Sequence, residues 1–312
     1  MIHKHEFRAM GCQMLAALDY PSGRAEIWLN SVPSWFEAWE QSLSRFRRDS
    51  ELSQLNRLSG SPQRISLTLW KVLQEARQAE RISGGLVTPL LLKALESAGY
   101  DTSFEEMVPS VVGGTNLIPA QTQLQTSMRI ADINCSAATR EVCLPAGSRL
   151  DFGGIAKGWA AHQAMKRLSA YGPALVDAGG DIAISGSRRD GSLWPVAVAD
   201  PLKQKDHLGI LMLGKNGVAT SGKDYRRWQQ NSRWQHHIID PRTGLPAETD
   251  LLSVTVVAQD VSQAEAAVKT VLILGSDEGL EWLNTQPTMD GILVLEDGRQ
   301  LKSCQIKEYL WS

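Results

Sequence analysis

Residues 253–274 read SVTVVAQDVSQAEAAVKTVLIL, and two different periods meet inside them. Over 253–258 the side chains alternate as in a strand with two unlike faces, and 262–274 carry the spacing of a helix. The strand character recurs at 128–133, 141–144, 174–176, 182–185, 194–199 and 209–213, each run followed by turn residues. A second helix is expected over 157–170, and residues 293–303 fold back through Asp297-Gly298 as a hairpin. Short strands joined by turns and interrupted by helices specify an α+β fold, a mostly antiparallel sheet core with flanking helices.

Towards the N-terminus the pattern becomes helical. Trp28, Val32, Trp35, Phe36, Trp39 and Leu43 recur at steps of three and four. Pro33 either opens a helix in its first turn or kinks a longer one. Leu69, Val72, Leu73, Ala76, Ala79 and Ile82 form a second stripe, closed by Ser83-Gly84-Gly85. Residues 102–126 contain Pro109, Gly113-Gly114 and Pro119 and read as an irregular connection. One unit is therefore expected over 1–312, helix-rich to about residue 125 and strand-rich beyond, with no repeat or Gly/Ser linker inside it.

The composition narrows the function. A chain of 312 residues with 43% apolar and 21% charged residues buries a substantial core, and 32 basic against 34 acidic residues describe neither a disordered tail nor a polycation. The ten tryptophans then belong to helix stripes and core rather than to a nucleic-acid surface. No window reaches the roughly 18 apolar residues of a membrane span. His3, Lys4, His5, Glu6 and Arg8 leave no room for the apolar stretch of a secretory signal, so a cytoplasmic location is expected. Cys12, Cys135, Cys143 and Cys304 are scattered, without a C-x-x-C pair, and are expected as buried or half-buried thiols in a reducing compartment.

Three segments carry candidate chemistry. In LDFGGIAKGWAAH, from Leu150, Asp151 sits at an expected strand end, Gly153-Gly154 let a ligand approach the backbone, and Lys157 stands near a helix start whose N–H groups are unpaired. In LVDAGGDIAISG, Gly179-Gly180 form either a tight turn in a sheet or a strip of backbone lying against a flat ligand. In VATSGKDYRRWQQNSRWQHHIIDPRTGLPA, hydroxyls, basic residues and two histidines crowd together. A continuous strand there puts His237 and Ile239 on one face, and His236, Ile238 and Asp240 on the other. Either histidine is a candidate for proton transfer. Glu265 and Lys269 lie four apart on the late helix in the favourable order for an exposed ion pair. His3 and His5 face one side of an expected N-terminal strand or coil and are not expected to bind metal.

Taken in order, eight segments resemble the ApbE family of FAD:protein FMN transferases. They are F-R-A-M-G-C from Phe7, L-S-R-F-R-R-D-S-E-L-S-Q-L-N from Leu43, G-G-L-V-T-P-L from Gly84, and D-F-G-G-I-A-K-G-W from Asp151. They continue with A-G-G-D-I from Ala178, A-T-S-G from Ala219, H-H-I-I-D-P-R-T-G from His236, and S-V-T-V-V-A from Ser253 followed by A-E-A-A-V-K-T-V-L-I-L-G from Ala264. The resemblance implies that FAD is cleaved at its pyrophosphate and FMN is joined to a Ser or Thr hydroxyl of an acceptor flavoprotein, releasing AMP. It implies His237 as the catalytic histidine, and Met10, Phe46, Leu86, Val87, Thr88, Asp151, Lys157 and Ile238 as FAD contacts. Phe46 offers a face to a ring system, Asp151 a carboxylate to an adenine or ribose donor, and Lys157 a charge to a phosphate. The resemblance also implies an acceptor with an Asp-Gly-x-Thr-type motif, while the charge balance and the lack of a long apolar window lead to the expectation of neither nucleic-acid binding nor membrane insertion.

The family's magnesium positions fall on Gly154, through its carbonyl, and on Glu265 and Lys269, where the family has Asp and Thr. Glu265 remains a possible Mg²⁺ ligand. Lys269 has no lone pair to give and repels a cation, so its ammonium is expected to occupy part of the ion's space, with Glu265 as counter-ion. His162, Val87-Thr88-Pro89-Leu90 and Lys223 also depart from the family pattern. Two further readings keep the same site: an FAD-binding protein without transfer activity, and an FAD pyrophosphatase that uses water as acceptor.

Overall fold

The computed structural model describes residues 1–107, 128–203, 205–230 and 233–311. Eight strands form one sheet: β1 (Ile2–Ala9), β2 (Cys12–Asp19), β3 (Ala174–Ala178), β4 (Ile182–Ile184), β5 (Gly217–Gly222), β6 (Leu251–Ala258), β7 (Asp290–Leu295) and β8 (Gln300–Lys302). Their order in space is their order in the chain, and all neighbours are antiparallel. The sheet is a meander with two long insertions that carry helices. Between β2 and β3 run α1 (Val32–Leu43), α2 (Leu67–Ile82) and α3 (Ala156–Leu168); between β6 and β7 runs α4 (Val261–Leu274). This is the α+β architecture expected, with the β7–β8 hairpin turning at Gly298 as the sequence specified.

Both faces of the central sheet are covered. Met14, Ala16 and Leu18 of β2 and Ala174, Val176 and Ala178 of β3 pack beneath the helices, whereas Ala17 and Leu175 point the other way. That second face is closed by a ribbon of strands Trp194–Ala199 and His207–Leu213, from which Trp194, Val196 and Val198 face the sheet. Strands buried on both faces lose the apolar–polar alternation of half-exposed ones. CQMLAALD is accordingly apolar almost throughout, and β1 and β2 form one end of the sheet although the sequence reads as helix-rich there.

Several expectations are corrected. Residues 128–133 do not form a strand: Ile130–Asp132 is a 3₁₀ turn, followed by a short strand at Asn134–Ser136. The backbone N–H of Ile130 donates to the Glu80 carboxylate and that of Arg129 to Asp132, which takes these groups away from any sheet ladder. Pro33 lies in the first turn of α1, separated from a short helix at Ala25–Leu29, so no kinked long helix forms. Of 102–126, Phe104–Glu106 is a 3₁₀ turn and residues 108–126 lie outside the described residues. All four cysteines are free; three are half-buried, but Cys304 is exposed.

Candidate active site

A cleft of about 590 Å³ opens at the helix-covered side of the sheet. Its lining comes from segments far apart in the chain. The tip of the β1–β2 hairpin supplies Met10, which takes a left-handed φ of 48° before Gly11 at 68°, the paired positive angles of a tight hairpin turn. The Met10 N–H donates to Glu40 at 2.9 Å, tying the tip to α1. Phe46 comes from the loop after α1. Gly84 and Gly85, at φ 61° and 97°, end α2 and direct Leu86, Val87 and Thr88 into the cleft.

Asp151 and Gly154 lie in the turn that enters α3, and Lys157 stands in its first turn. Asp151 is in a loop rather than at a strand end, with its N–H donated to the Pro89 carbonyl at 2.8 Å. Its carboxylate is already engaged by Arg45 Nε at 2.7 Å and by the Gly153 N–H at 2.8 Å. Arg45 in turn stacks its guanidinium 4.2 Å from the centre of the Phe46 ring. Arg45 and Arg226, both lining the cleft, were not singled out from the sequence; only their place in R-F-R-R and K-D-Y-R-R marked them.

The expected continuous strand through the two histidines is broken. Arg233–His236 pairs with Arg227–Gln230, the chain bends at His237, and pairing resumes at Ile239–Asp240. The bend frees the residues from strict alternation, and His237, Ile238 and Ile239 all line the cleft. His236 does not. Its Nε2 meets the Ala247 carbonyl at 3.1 Å, and its Nδ1 accepts from the Ile238 N–H at 3.3 Å. His237 Nδ1 is buried and makes no hydrogen bond of ordinary geometry. Burial, with the charges of Arg226 and Lys269 beside it, pushes the His237 pKa down to about 3. The imidazole is neutral at physiological pH.

Glu265 and Lys269 are not an exposed pair. Glu265 is 1% exposed, and Oε1 of its carboxylate lies 3.2 Å from Lys269 Nζ and 3.7 Å from Lys157 Nζ. Oε2 accepts from the Gly158 N–H, a free donor of the first turn of α3, at 3.1 Å. Lys157 also forms an ion pair with the buried Asp181. Burial opposes a charged Lys157, but Asp181 and Glu265 together hold its pKa above the ordinary lysine value. Burial also works against a charged Glu265, and the two lysines prevail and lower its pKa. Asp181, another group the sequence reading left unassigned, stands at the end of Gly179-Gly180. Those glycines form the β3–β4 turn, at φ 68° and 96°, and pack against Cys12 and Thr220 rather than lining the cleft.

The residues expected to hold magnesium do not fit a divalent ion. Lys269 stands beside Gly154, and a methyl group added there would lie 3.0 Å from Lys269 Cε. The one carboxylate is shared by two ammonium groups and a backbone N–H. Among the described residues no three His, Cys, Asp or Glu gather as a ligand set. The other departures lie off the cleft or fit within it. Lys223 binds the Thr249 carbonyl and Glu296, His162 is on α3 away from the lining, and Val87 and Thr88 line the wall.

The cleft is lined by Lys157, Lys269, Arg45 and Arg226, by the carboxylates of Glu40, Glu105, Glu106 and Asp151, and by apolar Met10, Leu86 and Ile238, the mixed lining of a small-molecule site. The fold and site together define an α+β protein with a partly apolar cleft lined by basic groups. The ApbE family model matches residues 10–293. A Treponema pallidum protein named FAD:protein FMN transferase is 30% identical over 310 residues, covering 95% of this chain and 84% of the relative. The Haemophilus influenzae protein of the same name is 28% identical over 246 residues, covering 77% and 70%. An ApbE protein structure from Thermotoga maritima superposes with a TM-score of 0.88 at 21% identity, over 100% of both chains. The flavin transferase ApbE of Vibrio cholerae gives 0.81 at 23%, over 99% of both. The chain belongs to the ApbE family.

Proposed function

We propose that this chain is an FAD:protein FMN transferase, with FAD as donor and a Ser or Thr hydroxyl of a flavoprotein as acceptor. The observation that carries the reading is the convergence of a neutral histidine, His237, and the half-buried lysines Lys157 and Lys269 on one cleft. Phosphoryl chemistry needs little else from a protein than positioned groups and charge around the reacting phosphorus.

In this reading the acceptor oxygen attacks the FMN-side phosphorus as the anhydride bond breaks. AMP leaves with the bridging oxygen, and the hydroxyl proton passes to the neutral imidazole of His237 and then to solvent. Lys157 and Lys269 face the phosphate oxygens, while Asp181 and Glu265 hold the two ammonium groups in place. Phe46, which is 40% exposed, and Leu86, Val87, Thr88, Met10 and Ile238 pack against the dinucleotide. Asp151, held by Arg45, presents its carboxylate to the nucleoside end.

The test mixes the protein with FAD and a candidate acceptor carrying an Asp-Gly-x-Thr-type motif. Flavin covalently attached to the acceptor, with one AMP per adduct, supports transfer. AMP release without adduct makes the protein a pyrophosphatase, and bound flavin with neither makes it a binding protein.

A further inference from the structure

We propose that the Lys269 ammonium is the built-in cation of this cleft, so that FAD is bound and cleaved here without a divalent ion. The inference rests on the flavin reading above and adds a property that the reading leaves open.

Three observations carry it. The first is occupancy. Lys269 reaches across to the turn before α3, and its Cε and Nζ stand 3.0 and 3.9 Å from where a side-chain carbon of Gly154 would be. The space between the Gly154 backbone and α4 is filled by a cationic side chain. The second is saturation. Glu265 is the one acidic residue of α4, and each of its oxygens already has a partner: Lys269 and Lys157 on one, the Gly158 N–H on the other. A cation entering here has to displace an ammonium from a buried carboxylate, leaving a charge without its counter-ion.

The third is charge balance. Lys157, Lys269, Asp181 and Glu265 form an ion-paired group of two cations and two anions, in which both anions are 1% exposed and both lysine side chains remain partly open to the cleft, at 17% and 13%. The carboxylates lie behind and the ammonium groups in front. An incoming pyrophosphate therefore meets positive charge directly, with no need for a metal to bridge it to a carboxylate. Lysine serves here as a point charge with rotatable donors, a role that its flexible stem allows.

The experiment measures FAD affinity of the full chain by quenching of flavin fluorescence, in excess EDTA and again with added MgCl₂. Equal affinity in the two conditions is expected, together with no Mn²⁺ uptake at this site when the apoprotein is titrated and followed by electron paramagnetic resonance. Lys269→Met is expected to weaken FAD binding in EDTA by about tenfold or more, the loss of one charge-assisted hydrogen bond. Lys269→Arg keeps the charge and is expected to restore most of it, which a purely structural effect of position 269 would not do. Circular dichroism checks that each variant is folded. Wild-type binding or cleavage of FAD that requires Mg²⁺, or stoichiometric Mn²⁺ uptake beside Glu265, overturns the assignment and leaves the flavin reading standing. Absence of FAD binding in both conditions overturns the flavin reading and this inference with it.

Discussion

At His236 and His237 two adjacent imidazoles are put to different uses by one bend in the chain. His236 must be neutral to accept from the Ile238 N–H while its other nitrogen donates to the Ala247 carbonyl, and burial lowers its pKa to about 4. It fixes the backbone that presents His237 and Ile238 to the cleft. Replacing His236 with Phe leaves a buried N–H and a carbonyl unpaired, at roughly 1–3 kcal/mol for each group that finds no water; urea unfolding measures the loss. The Nδ1 of His237 makes no hydrogen bond of ordinary geometry, and burial, together with the positive neighbours Arg226 and Lys269, holds the ring's pKa to about 3 in the free protein. A bound pyrophosphate brings negative charge to the same wall, so the His237 pKa is expected to rise when FAD binds. Proton NMR of the ring across a pH series follows it; an unchanged value places the phosphates elsewhere. The sequence left both histidines open because strand alternation treats their faces as equivalent, and a bend between Arg233–His236 and Ile239–Asp240 has no signature in H-H-I-I-D-P.

Among the elements, α3 builds the charged wall through its N-terminal turn, with Lys157, and α4 through the middle of its length, with Glu265 and Lys269. Asp260 caps α4 by accepting from the Gln263 N–H at 3.0 Å, and Asp260→Ala is expected to cost about 0.5–2 kcal/mol. Gly158 matters more to the site. A methyl group there would stand 2.6 Å from Glu265 Oε2, so Gly158→Ala pushes the carboxylate off its N–H and unsettles both lysines. Overpacking of this kind costs about 1–3 kcal/mol, and a larger loss of FAD affinity than of thermal stability is the expected pattern. Helices were legible where one face is apolar, as in α2, and the ribbon strand Trp194–Ala199 was legible because its burial alternates residue by residue. β2 was not, since burial on both faces erases the period. The expected strand at 128–133 failed because Glu80 and Asp132, neither distinguished in the sequence, capture its backbone N–H groups.

At the scale of the molecule, a meander in chain order gathers segments from Met10 to Lys269 around one cleft. Periodicity fixes the strands and helices but carries no information about which loops share an end of the sheet; the ordered set of eight motifs supplied that grouping. Arg45, Arg226 and Asp181 carry no role that the sequence alone can assign, because their importance lies in what they touch across the fold. Holding two neutral histidines half-buried also makes the whole protein acid-sensitive. Their folded pKa values, about 4 and about 3, lie below the ordinary 6.5, so the unfolded chain binds more protons and stability falls as pH drops from 6.5 towards those values. Thermal unfolding across that range is expected to show a shallower slope in the His236→Gln, His237→Gln double variant. Among the described residues no helix is long and apolar enough to cross a membrane. The account turns on His237 serving chemistry rather than structure. Its most direct test compares wild type and His237→Ala for the rate of covalent flavin transfer to an acceptor and for FAD affinity. The predicted result is a fall in rate of about 10²–10⁴-fold, the usual worth of a positioned proton acceptor, with FAD still bound; transfer at the wild-type rate would contradict it.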